Sequence, residues 1–312
     1  MGPLGMRLAP SSQGHLAMLC FSMLVAGSFS LGAMAANEIT PGALNAVRFA
    51  IAGLVIGIAV LVTGVWQRSA LQAPWRYLLL GGTFGAYFVL MFEGLKTAPP
   101  IGAAAVFTLI PVMAAGFGWV LLRQILTKRM MLALLIGAVG ALWVIFRADI
   151  AALMAFEIGR GEAIFFVGCV FHAFYTPLVR KLNRGEPALL FSFGVLVAGC
   201  LLITAYSWRD LVATDWAGLP GIVWITILYV SVFASAVTFV LVQFATMRLP
   251  AAKVMAYTYL TPSWVILWEI ALGRGVPVIW ILIGVALTFV ALLLLLQNED
   301  RHQGSLENSI KT

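Results

Sequence analysis

The chain alternates between long apolar runs and short polar links. A helix needs roughly 20 residues to cross the hydrocarbon core of a bilayer. Ten runs approach that length, and we place them at residues 15–36, 43–65, 75–95, 100–122, 130–147, 161–180, 188–206, 219–245, 250–272 and 277–297. Residues 1–14 form a polar lead, and residues 298–312 form a polar tail that we expect to be disordered. The pattern predicts an all-α polytopic membrane protein with ten transmembrane helices.

One stretch of this pattern occurs twice. Phe88 to Pro111 is repeated at Phe239 to Pro262, and in both copies a proline opens a new apolar run after a short polar link. Seven aligned pairs are identical: Phe88/Phe239, Val89/Val240, Leu90/Leu241, Pro99/Pro250, Ala105/Ala256, Leu109/Leu260 and Pro111/Pro262. The repeat predicts an internal duplication.

The duplication divides the chain into residues 15–147 and residues 161–297, with five apolar runs in each half. Because five is an odd number, the second half would enter the membrane upside down relative to the first. Inverted repeats of this kind are typical of secondary transporters, whose substrate site lies near mid-membrane between the halves. We therefore predict two inverted five-helix repeats.

Composition supports the membrane class. Hydrophobic residues make up 62% and charged residues 10% of the chain, and the mean hydropathy is +1.02. Soluble proteins average about half apolar and a quarter charged residues. The net charge of +7 comes from basic residues that are scattered between apolar runs, so we predict no nucleic-acid partner. Cys20, Cys169 and Cys200 all fall within apolar runs and are expected to be core residues.

The loop charges predict the orientation, because positive residues accumulate on the cytoplasmic side. With both termini inside, twelve basic residues are cytoplasmic: Arg7, Arg68, Arg76, Arg123, Lys128, Arg129, Arg180, Lys181, Arg184, Arg248, Arg301 and Lys311. Five are on the opposite side: Lys96, Arg147, Arg160, Arg209 and Arg274. We predict a multi-pass protein of the bacterial inner membrane with a cytoplasmic lead and tail. Ala33-Met34-Ala35 also imitates a signal cleavage site, but cleavage would remove the first run and unbalance the repeats.

Several short motifs carry a resemblance to a known family. They are Pro41 with Arg48-Phe49, the link Gly94-Leu95-Lys96-Thr97-Ala98 leading to Pro111, Gly161-Glu162, Ala173-Phe174-Tyr175, and the passage that ends at Pro262. With these motifs in this order, the chain resembles the EamA family of the drug/metabolite transporter superfamily. The resemblance implies a ten-helix secondary transporter that exports amino acids, related metabolites or toxic compounds. Many members carry Gly-Glu after the fourth and ninth helices, where this chain has Arg123-Gln124 and Gly273-Arg274.

The sequence carries no signature of nucleotide-driven transport or of catalysis. G-x-x-x-x-G-K-[ST], HExxH and GxSxG are all absent, so we predict neither an enzyme nor a cofactor or metal requirement. The predicted partners are a small-molecule substrate and the lipid bilayer, and a homodimer stays open as an alternative to a monomer. A facilitative pore and a non-transporting scaffold remain alternatives.

Polar side chains inside apolar runs are the candidate functional residues, because hydrocarbon penalises idle polarity. His172 is the foremost of them, since an imidazole can donate, accept or carry a proton. Glu93 and Glu269 lie at a depth similar to that of Arg48, so one of them could pair with it. The candidates for substrate binding or coupling are His172, Tyr175, Glu93, Arg48, Tyr87, Ser235, Tyr257 and Trp264. For each, a purely structural hydrogen bond is the alternative.

Two prolines are the predicted hinges. Pro111 and Pro262 would free backbone carbonyls and allow the fourth and ninth helices to bend. The predicted mechanism is alternating access, in which the two halves rock about a cavity lined by runs one, three, four, six, eight and nine. Runs five and ten, the most uniformly apolar, would lie at the lipid face or at a dimer seam.

Overall fold

The computed structural model describes residues 9–155 and 158–296, and their regular elements are helical. The first half consists of α1 (Pro10–Ala35), α2 (Pro41–Thr63), a 3-10 turn (Arg68–Leu71), α3 (Trp75–Gly94), α4 (Pro100–Phe107), α5 (Ile110–Leu122), α6 (Lys128–Ile145) and α7 (Ile150–Ala155). The all-helical prediction is confirmed for this part of the chain.

The second half follows the same order of long helices with more interruptions. It consists of α8 (Arg160–Leu182), α9 (Ala188–Ala213), α10 (Gly221–Ser231), a π-helical segment (Val232–Val237), α11 (Thr238–Thr246), α12 (Ala251–Ala256), a 3-10 turn (Tyr257–Leu260), α13 (Thr261–Ala271) and α14 (Ile281–Leu296). The π-helical segment continues α10 into α11 without a break, whereas the 3-10 turn separates α12 from α13.

Eight helices in the described residues are long and apolar enough to cross a membrane, counting α4 with α5 and α10 with α11 as single spans. They correspond to the first eight predicted runs. The ninth run is interrupted by the turn at Tyr257–Leu260, and the tenth is represented by the 16 residues of α14. The chain is therefore a multi-pass membrane protein.

The first helix begins before the first predicted run. α1 starts at Pro10, within residues 1–14, which the sequence predicts to be a polar lead. Proline is favoured in the first turn of a helix because its missing N–H would have no partner there. Residues 1–8 of the lead and the whole of the predicted tail, residues 298–312, lie outside the described residues.

Glycines allow the helices to approach one another closely. A β-carbon added to Gly81 on α3 would lie 2.4 Å from the backbone nitrogen of Gly199 on α9. Where α6 meets α14, a β-carbon on Gly140 would lie 2.6 Å from the carbonyl oxygen of Gly284. A β-carbon on Gly284 would lie 2.7 Å from the carbonyl oxygen of Gly140. Runs five and ten thus pack against each other within the chain, while the opposite face of α6 is exposed, with Leu135 62% accessible.

Candidate functional site

Aromatic rings from several helices meet at the centre of the bundle. We call the following rings the aromatic cluster: Phe84, Tyr87 and Phe88 on α3, Phe107 on α4, Phe165, His172 and Tyr175 on α8, and Phe239 on α11. The ring centroids of Phe84 and Tyr175 are 4.3 Å apart, and those of Tyr87 and His172 are 4.5 Å apart. Both halves of the chain supply rings, so the cluster lies between them.

The sequence of α3 explains its share of the cluster. Phe84, Tyr87, Phe88 and Met91 occur at intervals of three, one and three residues, which places them on one face of a helix. All four side chains are buried. Gly81 lies on the same helix against Gly199 and brings α3 close to α9. This combination of glycine and aromatic residues turns a continuous ring surface toward the centre.

Arg48 on α2 enters the same region and is fully buried. Its Nε donates to Ser235 Oγ at 2.6 Å, and its Nη2 donates to the carbonyl oxygen of Ala234 at 2.8 Å. The guanidinium carbon lies 3.6 Å from the centroid of the Phe88 ring, a cation–π contact. Ser235 and Ala234 belong to the π-helical segment, and such segments occur frequently at functional sites. Arg48 therefore links the first half of the chain to the second.

A small cavity lies beside Arg48, and we call it the central cavity. Its volume is about 10 Å³, which is the space of roughly one water molecule. It is lined by Phe21, Val25, Ser28, Arg48, Phe84, Tyr87, Phe88, Met91, Phe107, His172, Ala234 and Thr238. Helices of both halves contribute, and the site is nearly closed.

Three polar groups of the central cavity have hydrogen-bonding capacity that no described residue uses. They are Ser28 Oγ, Arg48 Nη1 and both ring nitrogens of His172. Each of these side chains is at least 98% buried. Leaving one such group without a partner costs about 1–3 kcal/mol. These three side chains therefore bring unused hydrogen-bonding groups to one cavity.

The two predicted hinge prolines lie just after breaks in their helices. α4 ends at Phe107 and α5 begins at Ile110, so Pro111 is the second residue of α5. Pro262 is the second residue of α13, directly after the 3-10 turn. A proline in the first turn of a helix sacrifices no hydrogen bond. Each proline therefore fits the start of a new segment rather than the middle of a continuous helix.

Comparison with known proteins identifies the family. Residues 12–146 and residues 159–297 each match the EamA-like transporter family. The chain belongs to this family. A solved crystal structure shares the fold with a TM-score of 0.70 at 20% identity, covering 94% of this chain and 98% of that one.

Two relatives are named as transporters. The chain is 25% identical over 282 residues to the uncharacterized transporter YyaM of Bacillus subtilis (strain 168), covering 89% of this chain and 92% of YyaM. It is 34% identical over 129 residues to the aromatic amino acid exporter YddG of Ancylobacter novellus. That second match covers 41% of this chain and 42% of YddG. The chain is a transporter of the EamA-like family.

The structure of this transporter brings five of the sequence-predicted candidates together. Arg48, Tyr87 and His172 line the central cavity. Ser235 accepts a hydrogen bond from Arg48. Tyr175 stacks on Phe84, and its hydroxyl accepts a hydrogen bond from Gln243 Nε2 at 2.9 Å. These five residues come from α2, α3, α8 and the π-helical segment.

Three other candidates lie elsewhere in the transporter. Glu93 forms an ion pair with Lys96 at 2.7 Å. Trp264 Nε1 donates to Ser22 Oγ at 3.3 Å, and the ring of Tyr257 packs 5.9 Å from that of His15 on α1. Neither aromatic residue lines the central cavity.

The expectation that Arg48 pairs with Glu93 or Glu269 is wrong. Glu269 approaches Arg274 at 3.5 Å, and Glu93 pairs with Lys96. Similar depth in the membrane does not place two side chains on facing sides of their helices. Arg48 instead bonds to the π-helical segment, so its charge has no carboxylate partner in the described part of the transporter.

Most rings of the aromatic cluster are not among the residues that the sequence predicts to be functional. In the sequence Phe84, Phe107 and Phe165 resemble ordinary apolar residues, although the spacing of Phe84, Tyr87 and Phe88 places these three rings on one face of α3. Phe107 and Phe165 offered no comparable pattern. Their role depends on how α4 and α8 pack, which a single helix does not encode.

Proposed function

We propose that the chain is a secondary transporter that exports small metabolites, such as amino acids or related compounds, by alternating access. The observation that carries the proposal is the central cavity, a nearly closed site between the halves with unpaired buried polar groups on Ser28, Arg48 and His172. In a bilayer such groups are costly unless they face a substrate path.

The proposed architecture is ten transmembrane helices in two inverted repeats, residues 15–147 and residues 161–297. The eight long spans support it, as do two helix breaks that correspond under the repeat, at residues 108–109 and at Tyr257–Leu260. We further propose that the protein lies in the bacterial inner membrane with both termini cytoplasmic. The excess of basic residues on the assigned cytoplasmic side supports this orientation.

An aromatic or apolar body is the part of the substrate that the site supports best. The aromatic cluster offers ring faces to stack on, and aromatic pairs contribute about 0.5–1.5 kcal/mol beyond their buried area. The name of the Ancylobacter novellus relative, an aromatic amino acid exporter, agrees with this chemistry. That match covers less than half of either chain, so the substrate of this transporter is a proposal.

A carrier is favoured over a facilitative pore because a pore needs a continuous open path, whereas the central cavity holds about 10 Å³. The test starts with a thermal-shift screen of the purified protein against amino acids and common metabolites. The hits then enter counterflow measurements in proteoliposomes. A carrier accumulates labelled substrate transiently against an unlabelled internal pool, whereas a pore only equilibrates it. A scaffold gives neither stabilisation nor flux, and that result would end the proposal.

Replacing both hinge prolines with alanine is expected to lower the transport rate several-fold, while the amount of folded protein stays close to that of the wild type. Alanine has a backbone N–H and no ring, so it allows the segments before and after the break to merge into one straight helix, which proline prevents. The measurement compares initial uptake rates of Pro111→Ala/Pro262→Ala and wild-type proteoliposomes at equal protein content. A normal rate would exclude the hinge role. Pro220→Ala, at the start of α10, is the matched control.

His172→Gln is expected to flatten the pH dependence of the transport rate between about pH 5 and pH 8, the range in which a histidine changes charge once water reaches it, as it would when the two halves separate. Glutamine keeps two hydrogen-bonding groups but cannot carry a proton in this range. Initial rates are measured across the range for wild type, His172→Gln and the control His15→Gln, a substitution outside the central cavity. An unchanged profile in His172→Gln removes this residue from any proton step.

A further inference from the structure

The described lining of the central cavity carries positive charge without negative charge. Among its described lining residues, Arg48 is the one cation and no aspartate or glutamate is present. The remaining polar contributors are neutral hydroxyl and imidazole groups, of Ser28, Tyr87, Thr238 and His172. The two acids that the sequence places at a depth similar to that of Arg48, Glu93 and Glu269, interact with Lys96 and Arg274 instead.

A carboxylate fits this arrangement. A guanidinium offers several N–H donors in a planar fork that matches the two oxygens of a carboxylate. Nη1 of Arg48 has no partner among the described residues. The bond from Nη2 to the Ala234 carbonyl is one that a stronger, charged acceptor could replace. The Ser28 hydroxyl and the single N–H of the neutral His172 imidazole, neither of which has a partner among the described residues, can each donate a hydrogen bond to the same group or to a neighbouring oxygen.

An ammonium group does not fit the central cavity. A buried cation needs an anionic or strongly polar partner, because its desolvation is otherwise uncompensated. A ring face could attract a cation, but the guanidinium of Arg48 already lies over Phe88 at 3.6 Å. A second positive charge nearby would be repelled strongly, since the protein interior screens charge far less than water does.

We propose that the central cavity binds a monocarboxylate that carries one aromatic ring and no ammonium group, in preference to the zwitterionic amino acid of the same shape. This inference rests on the proposed transport function and narrows its substrate class. Arg48 takes the carboxylate, and the ring enters the aromatic cluster between Phe84, Tyr87 and Phe107. Because the cavity holds only about 10 Å³, the two halves must separate to admit such a molecule.

The test uses three probes with the same phenylethyl body. 3-Phenylpropanoate carries only the carboxylate, phenylalanine carries the carboxylate and the ammonium, and 2-phenylethylamine carries only the ammonium. Binding to the purified full-length protein is measured directly by calorimetry and by thermal shift. Binding is the primary readout because the protonated form of 3-phenylpropanoate crosses bilayers unaided. Counterflow of labelled phenylalanine is recorded in parallel.

We expect 3-phenylpropanoate to bind at least about tenfold more tightly than phenylalanine, a difference well within the cost of one unpaired buried charge. 2-Phenylethylamine should not bind measurably. Arg48→Gln should remove the preference, whereas Lys96→Gln, which alters a cation outside the cavity, should keep it. The wild-type comparison stands on its own if Arg48→Gln does not fold.

Two results would overturn the inference. Equal or tighter binding of phenylalanine shows that the ammonium is accommodated, and binding of 2-phenylethylamine shows a cation site. If phenylalanine also gives saturable counterflow, the proposed transport function survives while the inference fails. If none of the three probes binds but another metabolite gives counterflow, the inference again fails alone. If no metabolite binds or is transported, both fail.

Discussion

Arg48→Gln is expected to lower the rate of substrate transport about 100-fold, because losing one partner of a buried charge-assisted contact costs about 2–5 kcal/mol and each 1.4 kcal/mol is a factor of ten. Arg48 is the one charged side chain among the described lining residues of the central cavity. It also links α2 to the π-helical segment through Ala234 and Ser235. The substitution removes the positive charge that would bind an anionic group, and it removes one of the two hydrogen bonds between α2 and the π-helical segment.

The folded state should tolerate the change. Arg48 has no carboxylate partner in the described residues, so removing it strands no buried counter-charge, which is the usual reason for a large loss of stability. A glutamine amide can still donate to one of the two oxygens. We expect monodisperse protein with a Tm within a few degrees of the wild-type value.

Two further variants separate the roles of Arg48. Arg48→Lys keeps the charge without the planar fork and should recover only part of the rate. Ser235→Ala removes one hydrogen-bond acceptor of Arg48 and should have the smaller effect, since the bond to Ala234 remains. A wild-type rate in purified Arg48→Gln would show that the central cavity is not the transport site.

The sequence predicted those features of this transporter that the lipid bilayer imposes on any chain that crosses it. A bilayer demands long apolar helices, so the runs and their order could be located without knowledge of packing. It also makes isolated polar residues costly, which is why Arg48 and His172 stood out against their neighbours. The duplication of Phe88–Pro111 at Phe239–Pro262 could also be found without knowledge of packing, because an alignment of the chain with itself is enough to detect it.

The partners of those residues could not be predicted in the same way. Similar depth in the membrane suggested that Glu93 or Glu269 pairs with Arg48. The actual contact depends on the direction of the side chain around its helix and on the packing of α2 against the π-helical segment. The π-helical segment itself, Val232–Val237, has no local signature that distinguishes it from an α-helix. Both features arise from tertiary packing, which single-helix patterns do not contain.

A second buried charge, Arg76, does not line the central cavity. In the sequence it is one of twelve basic residues predicted to be cytoplasmic. Its Nη2 donates to Glu186 Oε1 at 2.7 Å and to the Gln72 carbonyl at 3.0 Å, and its Nη1 donates to the Leu182 carbonyl at 2.7 Å. Its Nε donates to the Ala73 carbonyl at 3.3 Å. The pair of Arg76 and Glu186 thus ties the start of α3 to the end of α8 and its following loop.

Arg76→Met is expected to destabilise the protein by about 3–5 kcal/mol, the cost of breaking a buried ion pair and leaving one charge without its partner. The side chains of Arg76 and Glu186 are only 1% and 3% exposed. Thermal unfolding in detergent should show a clear fall in Tm. Arg68→Met, which removes an exposed cation of the preceding 3-10 turn, is the matched control and should change little. Arg76→Met/Glu186→Leu should recover much of the loss, since it removes both charges.

Acid should narrow the difference in Tm between wild type and Arg76→Met. Burial raises the pKa of Glu186, but hydrogen bonds from Arg76 and from the backbone N–H of Arg184 outweigh it, so the pKa lies below its ordinary value of 4.5. A depressed carboxylate pKa stabilises the folded state above the pKa of the unfolded chain, and this stability is lost as the pH falls through the folded value. In Arg76→Met the unpaired carboxylate gains from protonation instead. The Tm gap should therefore be widest near neutral pH and narrow below about pH 4.5; a gap that stays constant to pH 3 would show that the charge of Glu186 is not what Arg76 stabilises.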